Sequence, residues 1–261
     1  MLFKPNFWDQ KSSSLLSVLF FPLTIFVFLR NFFSKFIKKN KYKIKLICIG
    51  NIYLGGTGKT PLTIKIFKIL NNLNIKTVIL KKFYSNHIDE QKLLKLYGPL
   101  ITSKSRSKII KKSEKMKFKI GIFDDGLQEK GINFDLKIVC FDKKNFLGNG
   151  NLIPSGPLRE SINSIKDNDI IFFNGVGKIK TEYKSLLKKI NKKIKIFETV
   201  PFVKNINEIN LKNNYLVFCG IGNPENFRLL LKKNKIKIFK FLDFPDHYNY
   251  SKSDMNFIYK T

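Results

Sequence analysis

A glycine-rich loop between an apolar run and a helical pattern constrains the fold of this chain more than any other feature. The loop, Gly50 to Pro61, reads GNIYLGGTGKTP; KLICIG leads into it as a predicted strand and LTIKIFKIL follows as a predicted helix. Glycines let backbone N–H groups close on phosphate oxygens, and a lysine and a threonine in this order reach the β/γ-phosphates and Mg²⁺. The sequence therefore predicts a nucleoside triphosphate site formed by Gly55, Gly56, Thr57, Gly58, Lys59 and Thr60.

One position of this loop departs from the strict pattern G-x4-GK[ST]. That pattern requires glycine at position 53, where this chain has Tyr53. The alternative interpretation is a glycine-rich turn that joins a strand to a helix and binds nothing. Because lysine and threonine follow the glycines in the right order and context, the loop favours phosphate binding.

Composition limits the class of protein. Of 261 residues, 43% are hydrophobic, which indicates a folded α/β protein rather than a disordered chain. The net charge of +30 is spread along the whole chain without a recognition module, so we predict no nucleic-acid partner but a general preference for anions. Three cysteines, each in an apolar run, are predicted to be buried thiols, and two histidines argue against a histidine-rich metal centre.

An apolar stretch, Leu15 to Leu29, lies near the amino terminus between Lys11 and Arg30 and is followed by five lysines. Fifteen helical residues extend only ~22 Å, less than the ~30 Å hydrocarbon core, and Pro22 would kink the helix. Two interpretations remain, a core helix and a helix lying in the membrane surface, and the abundance of phenylalanine favours the second. We therefore predict a membrane-association segment over residues 1–40.

The rest of the chain alternates strand and helix patterns, which predicts a parallel sheet flanked by helices. Predicted strands are Lys43–Ile49, Lys76–Leu80, Lys119–Phe123, Leu136–Phe141, Asp169–Phe173, Lys193–Thr199, Tyr215–Cys219 and Lys235–Phe241. Predicted helices are Leu62–Leu73, Asp89–Tyr97, Ser105–Ser113, Thr181–Ile190, Pro224–Lys233 and Ser251–Tyr259. The Gly/Pro/Asn-rich loop Asn145–Pro157 predicts a division into a nucleotide-binding domain, 41–157, and a second α/β domain, 158–261.

Two adjacent carboxylates, Asp124 and Asp125, end an apolar strand in the sequence FDDGLQ. Enzymes that use nucleotides hold Mg²⁺ with a carboxylate at a strand end beside the phosphate loop. The alternative is an ordinary Asp-Gly turn. With the phosphate loop upstream, we predict that Asp124, Asp125 and Thr60 serve Mg²⁺.

Three weaker motifs have structural explanations as well as functional ones. Asp89 and Glu90 begin a predicted helix, where acidic residues complement the helix dipole or could include a general base. The loop IPSGPLRE ends in Arg159 and Glu160, and Arg159 could clamp a phosphate or form a surface ion pair. His247 lies in FPDHYNY, a turn sequence that is more often structural than catalytic.

Together, five motifs stand in one order along the chain. They are GN-x3-GGTGKTP, DDG-x-Q, PxGPLRE, IGNP-x-x-F and PDH, and they occupy Gly50–Pro61, Asp124–Gln128, Pro154–Glu160, Ile221–Phe227 and Pro245–His247. In these motifs the chain resembles the tetraacyldisaccharide 4'-kinases of lipid A biosynthesis over essentially its whole length.

The resemblance implies a P-loop NTPase-like fold and transfer of the ATP γ-phosphate, with Mg²⁺, to the 4'-hydroxyl of a tetraacylated disaccharide 1-phosphate. It also implies action at the cytoplasmic face of the bacterial inner membrane, where the amino-terminal helix helps to reach the lipid. Asp89 and His247 take the places of the catalytic base and its partner. Substrate and phosphate contacts are implied for Tyr84, Arg106, Gln128, Arg159 and Glu160.

The chain departs from the family pattern in several places. KKFYS replaces SRGYG after the second strand, Ile88 stands where the family has glycine, and Glu129 stands where it has histidine. The chain also ends soon after the PDH motif, where family members continue through another strand and helix, so we expect a second domain that is either compact or truncated at its carboxyl end. Two alternative functions therefore stay open: a membrane-associated P-loop ATPase switch, and a non-catalytic homologue.

Overall fold

The computed structural model describes residues 4–10 and 14–261. Residues 1–3 and 11–13, among them Lys11, lie outside the described residues. Seven strands form one parallel sheet: β1 (Lys45–Gly50), β2 (Thr77–Lys82), β3 (Leu100–Ser103), β4 (Ile120–Asp124), β5 (Leu136–Asp142), β6 (Ile170–Asn174) and β7 (Lys195–Glu198). Their order in the sheet is β3-β2-β4-β1-β5-β6-β7, so β1 is central. A separate parallel pair, β8 (Asn214–Cys219) and β9 (Lys237–Asp243), follows.

Helices cover both faces of the large sheet because its strands alternate apolar side chains between the two faces. Leu46 and Phe123 belong to a core that includes Ile109 of the helix Arg106–Lys115. Ile49 belongs to a second core, which includes Phe67 of the helix Lys59–Asn72. The helices are α1 (Leu15–Phe20), α2 (Thr24–Phe33), α3 (Lys59–Asn72), α4 (Ile88–Tyr97), α5 (Arg106–Lys115), α6 (Thr181–Ile190), α7 (Pro224–Lys233) and α8 (Lys252–Lys260).

The predicted parallel α/β sheet is confirmed, with two differences. The four-residue edge strand β3 was not predicted, because LITS is short and follows a Gly-Pro turn signal. The predicted division at residue 157 does not coincide with a break in the sheet, since β6 and β7 lie beyond it and continue the sheet from β5. In the structure the second sheet begins only at β8.

The amino-terminal helices lie on the outside of this fold with their apolar side chains exposed. Leu15 is 89% exposed, Phe26 70% and Phe36 74%. By length and composition alone, the 22-residue run Leu15–Phe36 could cross a membrane. Polar contacts at Ser17 and at Asn31 hold the run against the α/β body. Ser17 Oγ donates to the Ser155 carbonyl oxygen at 2.8 Å, and Asn31 Nδ2 donates to the Arg159 carbonyl oxygen at 2.9 Å.

Candidate active site

The phosphate loop lies at the carboxyl end of β1 and opens into a cleft of about 2000 Å³. Gly58 has φ +83°, and a Cβ there would meet Asn174 Nδ2 at 2.3 Å, so both its conformation and its surroundings require glycine. Asn51 Nδ2 holds the loop from inside, 3.1 Å from Thr57 Oγ1 and 3.2 Å from the Gly55 carbonyl oxygen. The loop is therefore fixed in shape before any phosphate binds.

Tyr53, the residue that breaks the strict loop pattern, joins the loop to the amino-terminal segment. It is 3% exposed; its hydroxyl donates to Asp9 Oδ1 at 2.5 Å and accepts from Lys4 Nζ at 2.8 Å. Lys4 and Asp9 also form an ion pair with each other. Burial and the neighbouring Asp9 carboxylate raise the pKa of Tyr53 well above its usual value, so the hydroxyl keeps its proton.

The two carboxylates at the end of β4 point in different directions. Asp124, 1% exposed, turns toward the helix that follows the phosphate loop. Its Oδ2 accepts from Thr60 Oγ1 at 3.2 Å, and its Oδ1 accepts from Thr63 Oγ1 at 3.2 Å. Asp125, with φ +65°, faces the cleft instead.

Asp125 is held in its ionised form by cations. Arg159 Nη1 lies 3.2 Å from its Oδ1 and 3.3 Å from its Oδ2. Burial acts to raise the pKa of Asp125, but Lys59 and Arg159 outweigh it and lower the pKa to about 2. Asp125 therefore presents a charged carboxylate to the cleft at neutral pH.

Lys81 is a charged residue of this site that sequence reasoning missed. Its Nζ lies 2.5 Å from Asp124 Oδ2 and 2.6 Å from Glu90 Oε2, and its side chain is only 4% exposed. Burial alone would lower the pKa of Lys81, but the two carboxylates outweigh it and raise the pKa. A lysine inside the KKFYS segment therefore links the end of β4 to the start of α4.

Two residues predicted to contact substrate or phosphate, Arg106 and Gln128, hydrogen-bond to the segments that carry Asp125 and Arg159. Arg106 donates to the Asp125 carbonyl oxygen at 2.8 Å and pairs with Glu129 at 3.2 Å, so the glutamate of the altered DDGLQE sequence has a structural partner. Gln128 donates to the Asn51 carbonyl oxygen at 3.0 Å and accepts from Arg159 at 3.3 Å.

Glu160 and Tyr84 also lie outside the lining of the large cleft, whereas Arg159 is part of it. Glu160 accepts from Lys130 Nζ at 2.7 Å and lies 3.3 Å from Gln128 Nε2. Tyr84 is 41% exposed, and its ring centre is 5.6 Å from that of His87.

The predicted pair Asp89 and His247 meets across the cleft, although 158 residues separate the two in sequence. Asp89 Oδ2 lies 2.7 Å from His247 Nδ1. Burial raises the pKa of Asp89, but the hydrogen bond from His247 outweighs it and the net shift is downward. Burial lowers the pKa of His247, but Asp89 and Asp246 outweigh it and the net shift is upward.

A glycine-rich loop after β8 forms the opposite wall. A Cβ on Gly222 would lie 2.7 Å from the backbone nitrogen of Gly56, so the two backbones touch where both residues are glycine. Asn223 caps α7 by accepting from the Asn226 backbone at 3.1 Å, and Asn226 Nδ2 reaches Asp142 Oδ2 at 3.3 Å. The IGNP motif was the sequence signal for this wall, but its residues were not among the predicted site.

Comparison with known proteins identifies the family to which the chain belongs. The family model described as LpxK, tetraacyldisaccharide-1-P 4'-kinase, matches residues 12–261. The chain is 46% identical over 253 residues to the tetraacyldisaccharide 4'-kinase of Pelagibacter ubique, covering 97% of this chain and 81% of that protein. It is 33% identical over 276 residues to the Rickettsia conorii protein of the same name, covering 99% of this chain and 84% of the relative.

A solved structure is similar to this fold. LpxK from Aquifex aeolicus, determined in complex with ATP, superposes with a TM-score of 0.67 at 24% identity, covering 91% of this chain and 84% of that one. The family model and the curated relatives extend over nearly the whole sequence. This chain therefore belongs to the tetraacyldisaccharide 4'-kinase family.

Proposed function

We propose that this protein transfers the γ-phosphate of ATP to the 4'-hydroxyl of a tetraacyldisaccharide 1-phosphate, a lipid A precursor, to form lipid IVA. The observation that carries the proposal is the Asp89–His247 pair, 2.7 Å apart, in the same cleft as the phosphate loop. A nucleotide switch would need the loop but would have no use for a carboxylate–histidine pair on the facing wall.

In the proposed reaction Asp89 is the general base. Its lowered pKa keeps it ionised at neutral pH, and His247 holds the carboxylate in one orientation. Asp89 accepts the proton of the acceptor hydroxyl while that oxygen forms a bond to the γ-phosphorus. The bond from the γ-phosphorus to the β–γ bridging oxygen breaks, and ADP leaves. Lys59 and the loop amides hold the phosphates in line for this transfer.

The oxygen atoms beside the phosphate loop fit a magnesium ion. Thr60 Oγ1 lies 3.2 Å from the Asp124 carboxylate, and Asp125 presents a second carboxylate to the cleft. Hydroxyl and carboxylate oxygens are the hard ligands that Mg²⁺ prefers, so we assign Thr60, Asp124 and Asp125 to hold it. When bound, Mg²⁺ offsets the negative charge of the phosphates.

Basic and polar residues around Arg159 fit phosphate recognition. Arg159 lines the cleft beside Asp125, so we assign it to contact phosphate directly. Gln128 and Glu160 then act by positioning, because Gln128 contacts Arg159 and Glu160 contacts Gln128. Arg106 holds the Asp125 turn. Tyr84 is exposed beside His87, which lines the cleft, and we assign it to contact the acceptor.

The amino-terminal segment fits a helix that lies on the membrane surface. Ser17 and Asn31 of this segment are both hydrogen-bonded to the α/β body. These two residues are 14 positions apart in sequence, which is ~21 Å along a helix. One side of the helix therefore faces protein along its length. The other side carries the exposed phenylalanines, and lysines follow at its end. We therefore assign residues 1–40 to membrane association, at the cytoplasmic face, where ATP is present.

Mass spectrometry of the lipid product tests this function. The protein is incubated with ATP, Mg²⁺ and tetraacyldisaccharide 1-phosphate in detergent, and the lipid should gain one phosphate. Asp89→Asn should slow this transfer by roughly 10²–10⁴-fold, the usual contribution of a general base. Asp167→Asn, the same change at an exposed aspartate outside the cleft, is the matched control.

Each other outcome identifies an alternative. ATP hydrolysis that is indifferent to the lipid and to Asp89→Asn would refute the kinase and support the nucleotide switch. Nucleotide binding without hydrolysis or transfer would support a non-catalytic homologue.

A further inference from the structure

The chain has two histidines in total, and the fold brings them together. The rings of His87 and His247 stack with centres 4.6 Å apart and planes 21° apart, beside the carboxylate of Glu90. We propose that His87, Glu90 and His247 form a binding site for a zinc-type transition-metal ion, separate from the magnesium position at the phosphate loop. Composition argued against a histidine-rich centre, but two imidazoles and one carboxylate are sufficient for a zinc site.

The distances are close to those a bound ion requires. One ligand atom from each residue can be chosen so that all three lie within 4.8 Å of one another. His87 Nδ1 is 3.7 Å from Glu90 Oε2, and His247 Nε2 is 3.8 Å from Glu90 Oε1. Ligand atoms of tetrahedral zinc are about 3.3 Å apart, given metal–ligand bonds of about 2.0–2.1 Å. An imidazole binds zinc in the plane of its ring, so the rings of His87 and His247 would turn out of their stack to aim at one ion and close the site.

Local structure explains why these side chains converge. A 3₁₀ turn, Ser85–His87, leads into α4, so His87 and Glu90 stand three positions apart on one face of the first turn. His247 reaches them from the loop after β9, where its backbone has φ +58° and its N–H donates to the Gly220 carbonyl oxygen at 3.2 Å. The site thus joins α4 to the opposite wall of the cleft.

Asp89 supplies the outer partner that zinc-binding histidines usually have. Its Oδ2 lies 2.7 Å from His247 Nδ1, so that nitrogen carries the shared proton and Nε2 faces Glu90. A carboxylate that accepts from the second ring nitrogen fixes the histidine's orientation and makes it a better ligand. This arrangement exists without any metal, so the site is partly organised in advance.

The surrounding charge favours a cation. Asp246 Oδ2 lies 3.8 Å from His247 Nε2, so Asp246 or a water molecule could complete the coordination. Three carboxylates, those of Asp89, Glu90 and Asp246, outnumber the two lysines near them. Lys81 lies 2.6 Å from Glu90 Oε2, and the charge of Lys59 acts on Glu90 and Asp246. Imidazole ligands favour zinc and related transition metals, whereas Mg²⁺ prefers oxygen alone.

Occupation of this site would inhibit phosphate transfer, a consequence that rests on the proposed function. Zinc bound to His247 Nε2 would place positive charge beside Asp89. It would also hold Asp89 and His247, the pair that receives the acceptor's proton, in one position. We expect zinc to slow the kinase by removing the base from use, without displacing ATP from the phosphate loop.

Metal binding itself is measured without catalysis. The full chain, without a polyhistidine tag, is titrated with Co²⁺ and followed by the visible absorption of tetrahedral cobalt, then with Zn²⁺ by calorimetry. Binding of one ion per chain is expected. His87→Phe keeps a ring against His247 but removes a ligand, and should weaken zinc affinity at least about 100-fold; Asp89→Asn should weaken it about 10–100-fold. Asp167→Asn should leave it unchanged.

These results separate the two ideas. A chain that binds no cobalt or zinc, or that binds them equally well with Phe at position 87, would overturn the metal site whatever the kinase assay gives. One bound zinc in a protein without kinase activity would support the site and refute the proposed function. In an active kinase, zinc should lower the rate for the natural sequence and not for His87→Phe; equal inhibition of both would overturn the inhibitory role.

Discussion

Lys81→Met tests whether a buried ammonium holds the site together. The side chains of Lys81 and Asp124 are 4% and 0% exposed, and that of Glu90 is 22% exposed. Removing one partner of a buried ion pair costs about 3–5 kcal/mol because the remaining charge stays buried. Water can reach Glu90 in part, so we expect the lower end, about 3 kcal/mol, in the free energy of unfolding at pH 7.

This cost should shrink as the pH falls. In the natural chain burial acts to raise the pKa of Glu90, but Lys81 outweighs burial and lowers it. The stability that this pair contributes is therefore fully present above the unfolded-state pKa of about 4.3. It is lost only as the pH falls through the lower, folded-state pKa. Without Lys81 the buried carboxyl has a raised pKa and takes up a proton first. The difference between variant and natural chain should therefore be smaller at pH 5 than at pH 7.

Urea unfolding followed by circular dichroism, with EDTA and a neutral detergent, measures both effects. Lys65→Met makes the same change at an exposed position of α3 and should alter stability by no more than about 0.5 kcal/mol. A loss below about 1 kcal/mol for Lys81→Met at pH 7, or an equal loss at pH 5, would refute the reasoning.

Three further predictions concern the loop, the histidine and the membrane helix. Gly58→Ala should weaken ATP binding, measured by calorimetry, at least about tenfold, because a side chain at φ +83° costs about 1–2 kcal/mol and its Cβ meets Asn174 at 2.3 Å. Because the pKa of His247 is raised, its ion pair with Asp89 is complete below about pH 6.5 and is lost as the pH rises through the folded-state pKa. Proton NMR should therefore give a titration midpoint for His247 above about 6.5, and this midpoint should be lower in Asp89→Asn. Phe26→Ser should lower binding to anionic vesicles, measured by flotation, about tenfold, since a buried phenylalanine contributes about 1.5–3 kcal/mol.

Each of these has a matched control. Gly177→Ala repeats the strain at φ +97° with no atom within 4 Å of the new Cβ, and ATP affinity should not change. Asp167→Asn should leave the His247 titration in place. Phe202→Ser removes a phenylalanine that is 80% exposed but lies outside the amino-terminal helices, and vesicle binding should persist. Equal effects of a variant and its control would contradict the corresponding prediction.

Sequence patterns predicted the sheet and the phosphate loop because both depend on neighbouring residues. Alternating β-branched strands and the order of Gly58, Lys59 and Thr60 are visible in a short window. The Asp89–His247 contact came from the family resemblance, since their spacing alone favoured a helix start and a turn.

Lys81 could not be assigned from its neighbours in sequence. A lysine in a lysine-rich chain is predicted to be solvated, and only the pairing of β2 with β4 places it beside Asp124. Tyr53 was read as a missing glycine, whereas its role depends on Lys4 and Asp9, more than 40 residues away. Long-range charge partners of this kind are set by topology and not by local pattern.

The two walls of the cleft meet through contacts that water can replace. Gly56 touches Gly222 by backbone alone, Asp89 meets His247 through one hydrogen bond, and Lys144 meets Glu225 as an exposed pair at 3.3 Å. Separating such surfaces exchanges polar contacts for hydration, which costs far less than exposing an apolar core. The walls can therefore part to release ADP and admit a bulky lipid headgroup while each half keeps its own packing.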